Sequence, residues 1–230
     1  MATPRPQRIP LSRDRALTAA VALADEAGID AVSMRNLAQR LGVVPMALYK
    51  HVANKEDLLD GMIDSIVAGY APPAPDLGWK AEIRARVLAA RVALGRHPWA
   101  RSVFETRTHR TPTVLGYLND LTGAFLAGGL SPHLTHHAMH ALGHRIWGFS
   151  PEAFDDPDAA ALPTDAAEVA ALMARMAATF PHVLTIAMAA GTDGAPGACD
   201  EQSEFEFTLD LLLDAFEGLH EAGWPTGPRP

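Results

Sequence analysis

Ser33–Lys55, SMRNLAQRLGVVPMALYKHVANK, carries two short helical patterns separated by a glycine, and the fold of the N-terminal part follows from it. Ser33 is a good N-cap for a helix Met34–Leu41, because its hydroxyl can accept from amides two or three residues on. Gly42 ends that helix, since glycine enters the left-handed conformation without a steric cost. The chain restarts almost at once, with Pro45 tolerated only in a first turn, and the second helix is expected over Val44–His51. Leu37, Ala38, Leu41, Val43, Leu48 and Val52 supply a small apolar seam. Arg35, Pro45, Met46, Lys50 and the outer edge of Tyr49 are left to face outward. Two helices joined by about three or four residues with a glycine are the geometry in which the second helix reads base edges in the major groove.

The surrounding run from Leu11 to Tyr70, above all GIDAVSMRNLAQRLGV (28–43) followed by ALYKHVANKEDLL (47–59), resembles the N-terminal domain of the TetR family of bacterial transcriptional repressors. The resemblance implies a first helix Asp14–Ala27 closed by Gly28 and a fourth starting at Asn54 and running to about Ala68. It also implies site roles. Tyr49 and Lys55 become phosphate ligands, Lys50 and His51 lie near the DNA backbone, Arg35, Pro45 and Met46 face bases, and Ser33 belongs to the same DNA-facing set. Arg35 is the foremost base reader, because a guanidinium can pair bidentately with guanine; a surface ion pair is its alternative. Lys55 sits in a first helical turn, where the macrodipole disfavours a cation, with Glu56 and Asp57 as compensation. An anion outside the protein explains such a lysine, against the alternative of an ordinary solvated side chain. For Tyr49 the alternative is a half-buried core aromatic.

Charge supports one docking orientation. The 230 residues carry a net charge of −8, which alone argues against nucleic acid. Residues 1–51, however, hold seven Arg or Lys against four Asp or Glu, whereas the remainder holds 12 against 23. DNA would therefore meet the N-terminal end. The tail MATPRPQRIPLSR places Arg5, Arg8 and Arg13 among prolines, so residues 1–12 are expected to be a flexible basic arm. The single cysteine, Cys199, leaves no intrachain disulfide and fits a reducing cytoplasm. No apolar run approaches the roughly 18–20 residues that span a bilayer, and the N-terminus lacks a signal-peptide core, so a soluble cytoplasmic protein without a membrane partner is expected.

Beyond Tyr70, APPAPDLG reads as a linker, and the rest reads as helices broken by Pro and Gly. The expectation is an all-α chain: a helix-turn-helix domain over 1–70 and a larger helical domain over 71–230 for ligand binding and dimerisation. Helices are expected over Trp79–Arg96, Trp99 to about Arg107, Pro112–Ala127, Pro132–Phe149, Asp165–Thr179, Pro181–Ala190 and Glu201–Glu221, with loops at 150–164 and 191–200. In the last helix Phe205, Leu209, Leu212, Leu213, Phe216 and His220 form one stripe, while Phe207 and Leu211 fall opposite. A helix apolar on two sides needs two layers to cover it. FEFTLDLLLDAFE (205–217) resembles the C-terminal signature of the tetracycline-repressor-like branch of the family. That resemblance implies a homodimer through a four-helix bundle, with Phe205, Leu209, Leu212, Leu213 and Phe216 at the interface and a partner helix within 165–190. A two-fold dimer implies a palindromic double-stranded operator.

Five of the ten histidines lie in SPHLTHHAMHALGHRIWGF (131–149). His133, His136, His137, His140, His144 and Trp147 share an arc of about 100° on a helical projection. Arg145 is the only charge in that helix, so burial on several sides is expected. The histidines can line a ligand pocket beside Trp147, bind a metal, or pack at an interface, and these readings stay open. Metal is the weakest, because no carboxylate or cysteine sits suitably among them. Aligned to the branch, the pocket would be lined by His136, Met139, His140 and Trp147, with Arg86 and Phe104 from neighbouring helices. In the tetracycline repressor a histidine holds magnesium with the drug; Phe104 falls at that place here, with His109 close behind. A more apolar or aromatic small-molecule effector is therefore favoured, with no cofactor. The function implied is a ligand-responsive transcriptional repressor. The alternative is a helical metal-binding protein or enzyme using His133–His144, against which stands the lack of H-E-x-x-H, Walker-type or G-x-S-x-G motifs.

Overall fold

A computed structural model describes residues 10–74, 76–107, 109–146, 165–190 and 201–224. They form eleven α-helices and one 3-10 turn, Ile29–Ala31, with no strand among the described residues. The helices are α1 (Arg13–Ala27), α2 (Met34–Leu41), α3 (Pro45–Leu48), α4 (Lys55–Ala68), α5 (Trp79–Arg96), α6 (Ala100–Thr106), α7 (Pro112–Ala127), α8 (Pro132–Ile146), α9 (Ala166–Thr179), α10 (Pro181–Ala190) and α11 (Glu201–Glu221). Two compact units result, one of residues 1–148 with 215–230 and one of 149–214. The basic arm before Pro10, the loops at 150–164 and 191–200, Trp147 and Cys199 lie outside the described residues.

Local chemistry sets the helix ends. Ser12 caps α1, Ser33 caps α2 through its hydroxyl and the Asn36 amide, Thr111 caps α7, and Asp165 caps α9. Gly42, at φ 67°, closes α2 in the left-handed conformation. Asn54 accepts from the Asp57 amide at 2.8 Å while the Asp57 carboxylate accepts from the Ala53 amide at 2.7 Å, a reciprocal cap that starts α4.

Several expected boundaries shift by a residue or so, and the recognition helix shifts more. The recognition helix is shorter than Val44–His51, because Pro45 forces the preceding Val44 into an extended conformation, φ −78° and ψ 145°, so Val44 is the N-cap. At the other end the chain tightens after Leu48, with the amides of His51 and Val52 both donating to the Leu48 carbonyl.

The larger unit is held by the buried faces of α1 (Ala16, Leu17, Ala20, Ala24), α2 (Leu37, Ala38) and α4 (Leu58, Leu59, Met62, Ile63, Ile66, Val67), with Leu48 and Val52 completing the seam. Helix α1 crosses α4 closely at Gly61, where a Cβ would lie 2.6 Å from a Leu17 methyl. Helix α4 also packs on α5, α6 and α7, and α7 on α5 and α8. Phe125 of α7 stacks edge-on with Phe216 of α11 at 6.1 Å, and Lys80 of α5 pairs with Glu217 at 2.7 Å.

Of the α11 residues expected at a dimer interface, Phe205, Leu209, Leu213 and Phe216 are buried within the single chain and Leu212 is half-buried. The exposed apolar side chains of α11 are the opposite pair, Phe207 at 67% and Leu211 at 57%. On α10, Val183, Ile186 and Met188 are exposed as well.

Candidate nucleic-acid interface and ligand cavity

The turn between α2 and α4 presents one exposed group of side chains. Val44, Pro45, Met46, Tyr49 and Lys50 are exposed, Arg35 extends from α2, and Lys55 opens α4. Arg35, Lys50 and Lys55 make no ion pair or hydrogen bond among the described residues. The ion pair expected as the alternative for Arg35 is thus not formed; Arg40, on the same helix, takes Glu26 instead, at 2.5 and 2.6 Å. The two acids expected to compensate Lys55 are engaged elsewhere: Asp57 by Arg13 of α1, at 2.6 and 3.0 Å, and Glu56 by Arg107 at 2.7 Å. The Asp57 carboxyl is held below the usual carboxylate range, first by the hydrogen bond from Arg13 and further by the Ala53 amide, while burial opposes. His51 is half-buried, and its carbonyl accepts from Arg13 at 3.0 Å. Ser33 is occupied as the α2 cap. Val44, 67% exposed beside Met46, belongs to the same face and had no signal beyond its place before Pro45.

A cavity of about 600 Å³ lies in the same unit, between α4, α6, α7 and α8. Ile63, Phe104, Val114, Leu118, Met139 and Gly143 give it an apolar wall. Asp60, Glu105, Arg107, His109, Arg110, Thr111, His136 and His140 give it a polar one. Of the expected pocket residues, Phe104, His136, Met139 and His140 come together here. Arg86 does not. It lines a smaller depression of about 280 Å³ with Tyr70, Tyr117 and Asp120, tied to Glu82 at 2.8 Å and Asp120 at 3.2 Å. Two carboxylates on its own and a neighbouring helix outcompete a reach to the cavity. Trp147 lies outside the described residues.

The histidine helix is less enclosed than expected. Its buried face is Leu134, Thr135, Ala138 and Leu142, while His136, His137 and His140 are exposed. The rings of His136 and His140 stand 4.6 Å apart at the cavity, and His137 meets Trp224 at 6.1 Å. Among the described residues no three His, Cys, Asp or Glu side chains converge as a metal site.

The cavity wall is fastened to α4 by a row of acids one helical turn apart. Glu56 and Asp60 both bind the Arg107 guanidinium, at 2.7 and 3.2 Å; Asp60 also meets His109 at 3.0 Å, and Asp64 accepts from the Thr111 hydroxyl. The positions i, i+4 and i+8 lie on one side of a helix. Sequence reading missed Asp60, Arg107, Arg110 and Thr111. The dense TRTHRT stretch between α6 and α7 was the available signal.

This two-part arrangement has known counterparts. The sequence pattern of bacterial regulatory proteins of the tetR family matches residues 16–62, and that of the tetracyclin repressor-like C-terminal domain matches residues 71–220. The chain belongs to the TetR family of bacterial regulatory proteins. Among curated TetR-family relatives, the HTH-type transcriptional repressor DrrR1 of Streptomyces coeruleorubidus is 37% identical over 116 residues, 48% of this chain, so the match spans less than half of that protein's length, 43%. The tetracycline repressor protein class G of Vibrio anguillarum is 27% identical over 217 residues, 92% of this chain and 96% of that one. Among solved structures, a possible TetR family transcriptional regulator from Streptomyces coelicolor superposes with a TM-score of 0.70 at 28% identity, covering 90% of this chain and 100% of that one. No helix among the described residues is long and apolar enough to cross a membrane.

Proposed function

We propose that the chain is a ligand-responsive transcriptional repressor of the cytoplasm, not an enzyme, with residues 1–70 reading DNA and residues 71–230 serving effector binding and dimerisation. The observation that carries this reading is α4. Its first residue, Lys55, belongs to the exposed cationic group of the recognition turn, and its Glu56, Asp60 and Asp64 hold the wall of the cavity. Whatever fills the cavity therefore acts on the helix that positions Lys55. A ligand shifts the DNA-bound population only by its differential affinity for the two states, and α4 gives that difference a route.

In this reading Tyr49 and Lys55 grip phosphate, Lys50 and His51 lie along the backbone, Arg35, Pro45 and Met46 meet base edges, and Ser33 holds α2 at the groove. Phe104, His136, Met139 and His140 meet a small molecule with an apolar or aromatic body. Two copies assemble through the faces of α10 and α11 that carry Val183, Ile186, Phe207 and Leu211, all exposed in the single chain. A two-fold homodimer sets two recognition turns about 34–36 Å apart and calls for a palindromic operator. The test is a gel shift on the DNA upstream of the protein's own gene. Tyr49→Phe combined with Lys55→Ala weakens binding by roughly tenfold or more, since charge-assisted phosphate contacts are lost. Unaltered binding overturns the phosphate assignment.

A further inference from the structure

The cavity's two acids and two arginines balance in formal charge, but not every donor is met. Both acids are engaged: Asp60 by Arg107 and His109, and Glu105 by Arg101 at 3.2 Å. Arg110, on the same wall, has no ion pair or hydrogen bond among the described residues. Arg107 is 13% exposed in its side chain, and although its Nη1 holds Glu56 and Asp60, its Nε–H is buried with no acceptor. A buried donor on a charged group is costly to leave unmet, and protein groups nearly always find partners for such atoms. The guanidinium of Arg110 adds further unmet donors on the same wall. Facing them, Ile63, Phe104, Val114, Leu118 and Met139 form an apolar wall large enough for a ring-bearing molecule.

We propose that the cavity is built for an organic anion: an apolar ring system packed on Phe104 and Met139, whose carboxylate, sulfonate or phenolate is met by the unpaired guanidinium of Arg110. Planar guanidinium donors suit such oxygens and bind them more strongly than neutral ones. The inference rests on the reading of this cavity as the effector site and adds to it the charge of the effector.

Paired fluorescent probes test it. The anion 1-anilinonaphthalene-8-sulfonate and its uncharged counterpart N-phenyl-1-naphthylamine share a ring system and differ by the sulfonate. Each is titrated into the full-length protein, wild type and variants. Arg110→Gln, at an exposed position, is expected to weaken sulfonate binding about tenfold and to leave the neutral probe within about twofold. Phe104→Ala weakens both probes. An equal loss of both probes in Arg110→Gln, or no loss of either, overturns the anion site. Sulfonate binding indifferent to Phe104→Ala also overturns it, because the anion then sits outside the cavity. Adding the sulfonate to the DNA complex separates this inference from the one beneath it: arginine-dependent binding that leaves DNA bound sinks release by the cavity and keeps the anion site.

Discussion

The recognition turn and the cavity wall both carry cations, but in opposite states. Arg35, Lys50 and Lys55 stand exposed without acid partners among the described residues, whereas Arg107 and His109 are fastened to Glu56 and Asp60 of α4. A free surface cation gains little from its own protein and keeps its interaction for an external phosphate. A fastened one, only 13% exposed at Arg107, does structural work: it joins the α6–α7 segment to the helix that carries Lys55. Charge in the N-terminal region is thus left free, and charge at the cavity wall is spent on joining elements.

The largest break in this comparison is expected at the turn. Arg35→Ala, Lys50→Ala and Lys55→Ala together are expected to lower affinity for upstream DNA by on the order of a hundredfold at low salt and to flatten the slope of log affinity against log salt by roughly three units. Fluorescence anisotropy across a salt series reads both quantities. The melting temperature is expected to stay near wild type, because these side chains hold nothing among the described residues. An unchanged salt slope would show that the free cations face solvent only.

At the cavity wall the expectation reverses. Asp60→Ala removes the shared partner of Arg107 and His109, and the Asp60 side chain is only 17% exposed. Urea unfolding is expected to show a loss of about 1–3 kcal/mol, typical of hydrogen bonds to charged groups. DNA affinity of the folded variant at saturating protein is expected to change by no more than about threefold. A large DNA defect with intact stability would mean that Asp60 acts on the recognition turn and not on the wall.

The Arg13–Asp57 pair lies between these extremes, fastening α1 to the start of α4 while its side chains remain 41% and 32% exposed. Arg13 depresses the Asp57 carboxyl in the folded state. The pair's contribution is therefore present above the unfolded carboxylate value, about 3.9, and is lost as pH falls through the lower folded value. Asp57→Asn is expected to reduce the melting temperature at neutral pH and to flatten its decline below about pH 4. Solvent screening keeps the effect to about 1 kcal/mol or less.

How far each region was legible follows from whether its cause is local. Caps and stops are local, so Ser33, Gly42, Asn54 and Pro112 mark helix ends that the structure reproduces, and α5, α7, α10 and α11 keep their expected limits. Periodicity showed that α11 has two apolar faces but not how far the chain covers each; Phe205, Leu209 and Leu213 are buried, and Phe207 and Leu211 are exposed. The cavity was half legible. Phe104, His136, Met139 and His140 came from a resemblance in helix order, whereas Arg107 is joined to Asp60, and Thr111 to Asp64, by contacts between residues 47 positions apart, which no local pattern records. Arg86 went astray for the same reason, since Asp120, its partner on α7, is 34 residues away.

The smallest expected effect gives the sharpest contrast, because it lies on one helix. Arg35 and Arg40 are both on α2, five residues apart, and net charge treats them alike. Arg40 makes a two-point pair with Glu26 of α1, while Arg35 is unpaired among the described residues. If free charge is what DNA meets, Arg35→Ala weakens binding several-fold and loses about one unit of salt slope. Arg40→Ala then changes affinity by less than about twofold, since a guanidinium already engaged by a carboxylate brings little net charge to phosphate. Equal losses in the two variants would show that the turn responds to overall positive charge, and the distinction between free and fastened cations would fail on the helix where it is easiest to see.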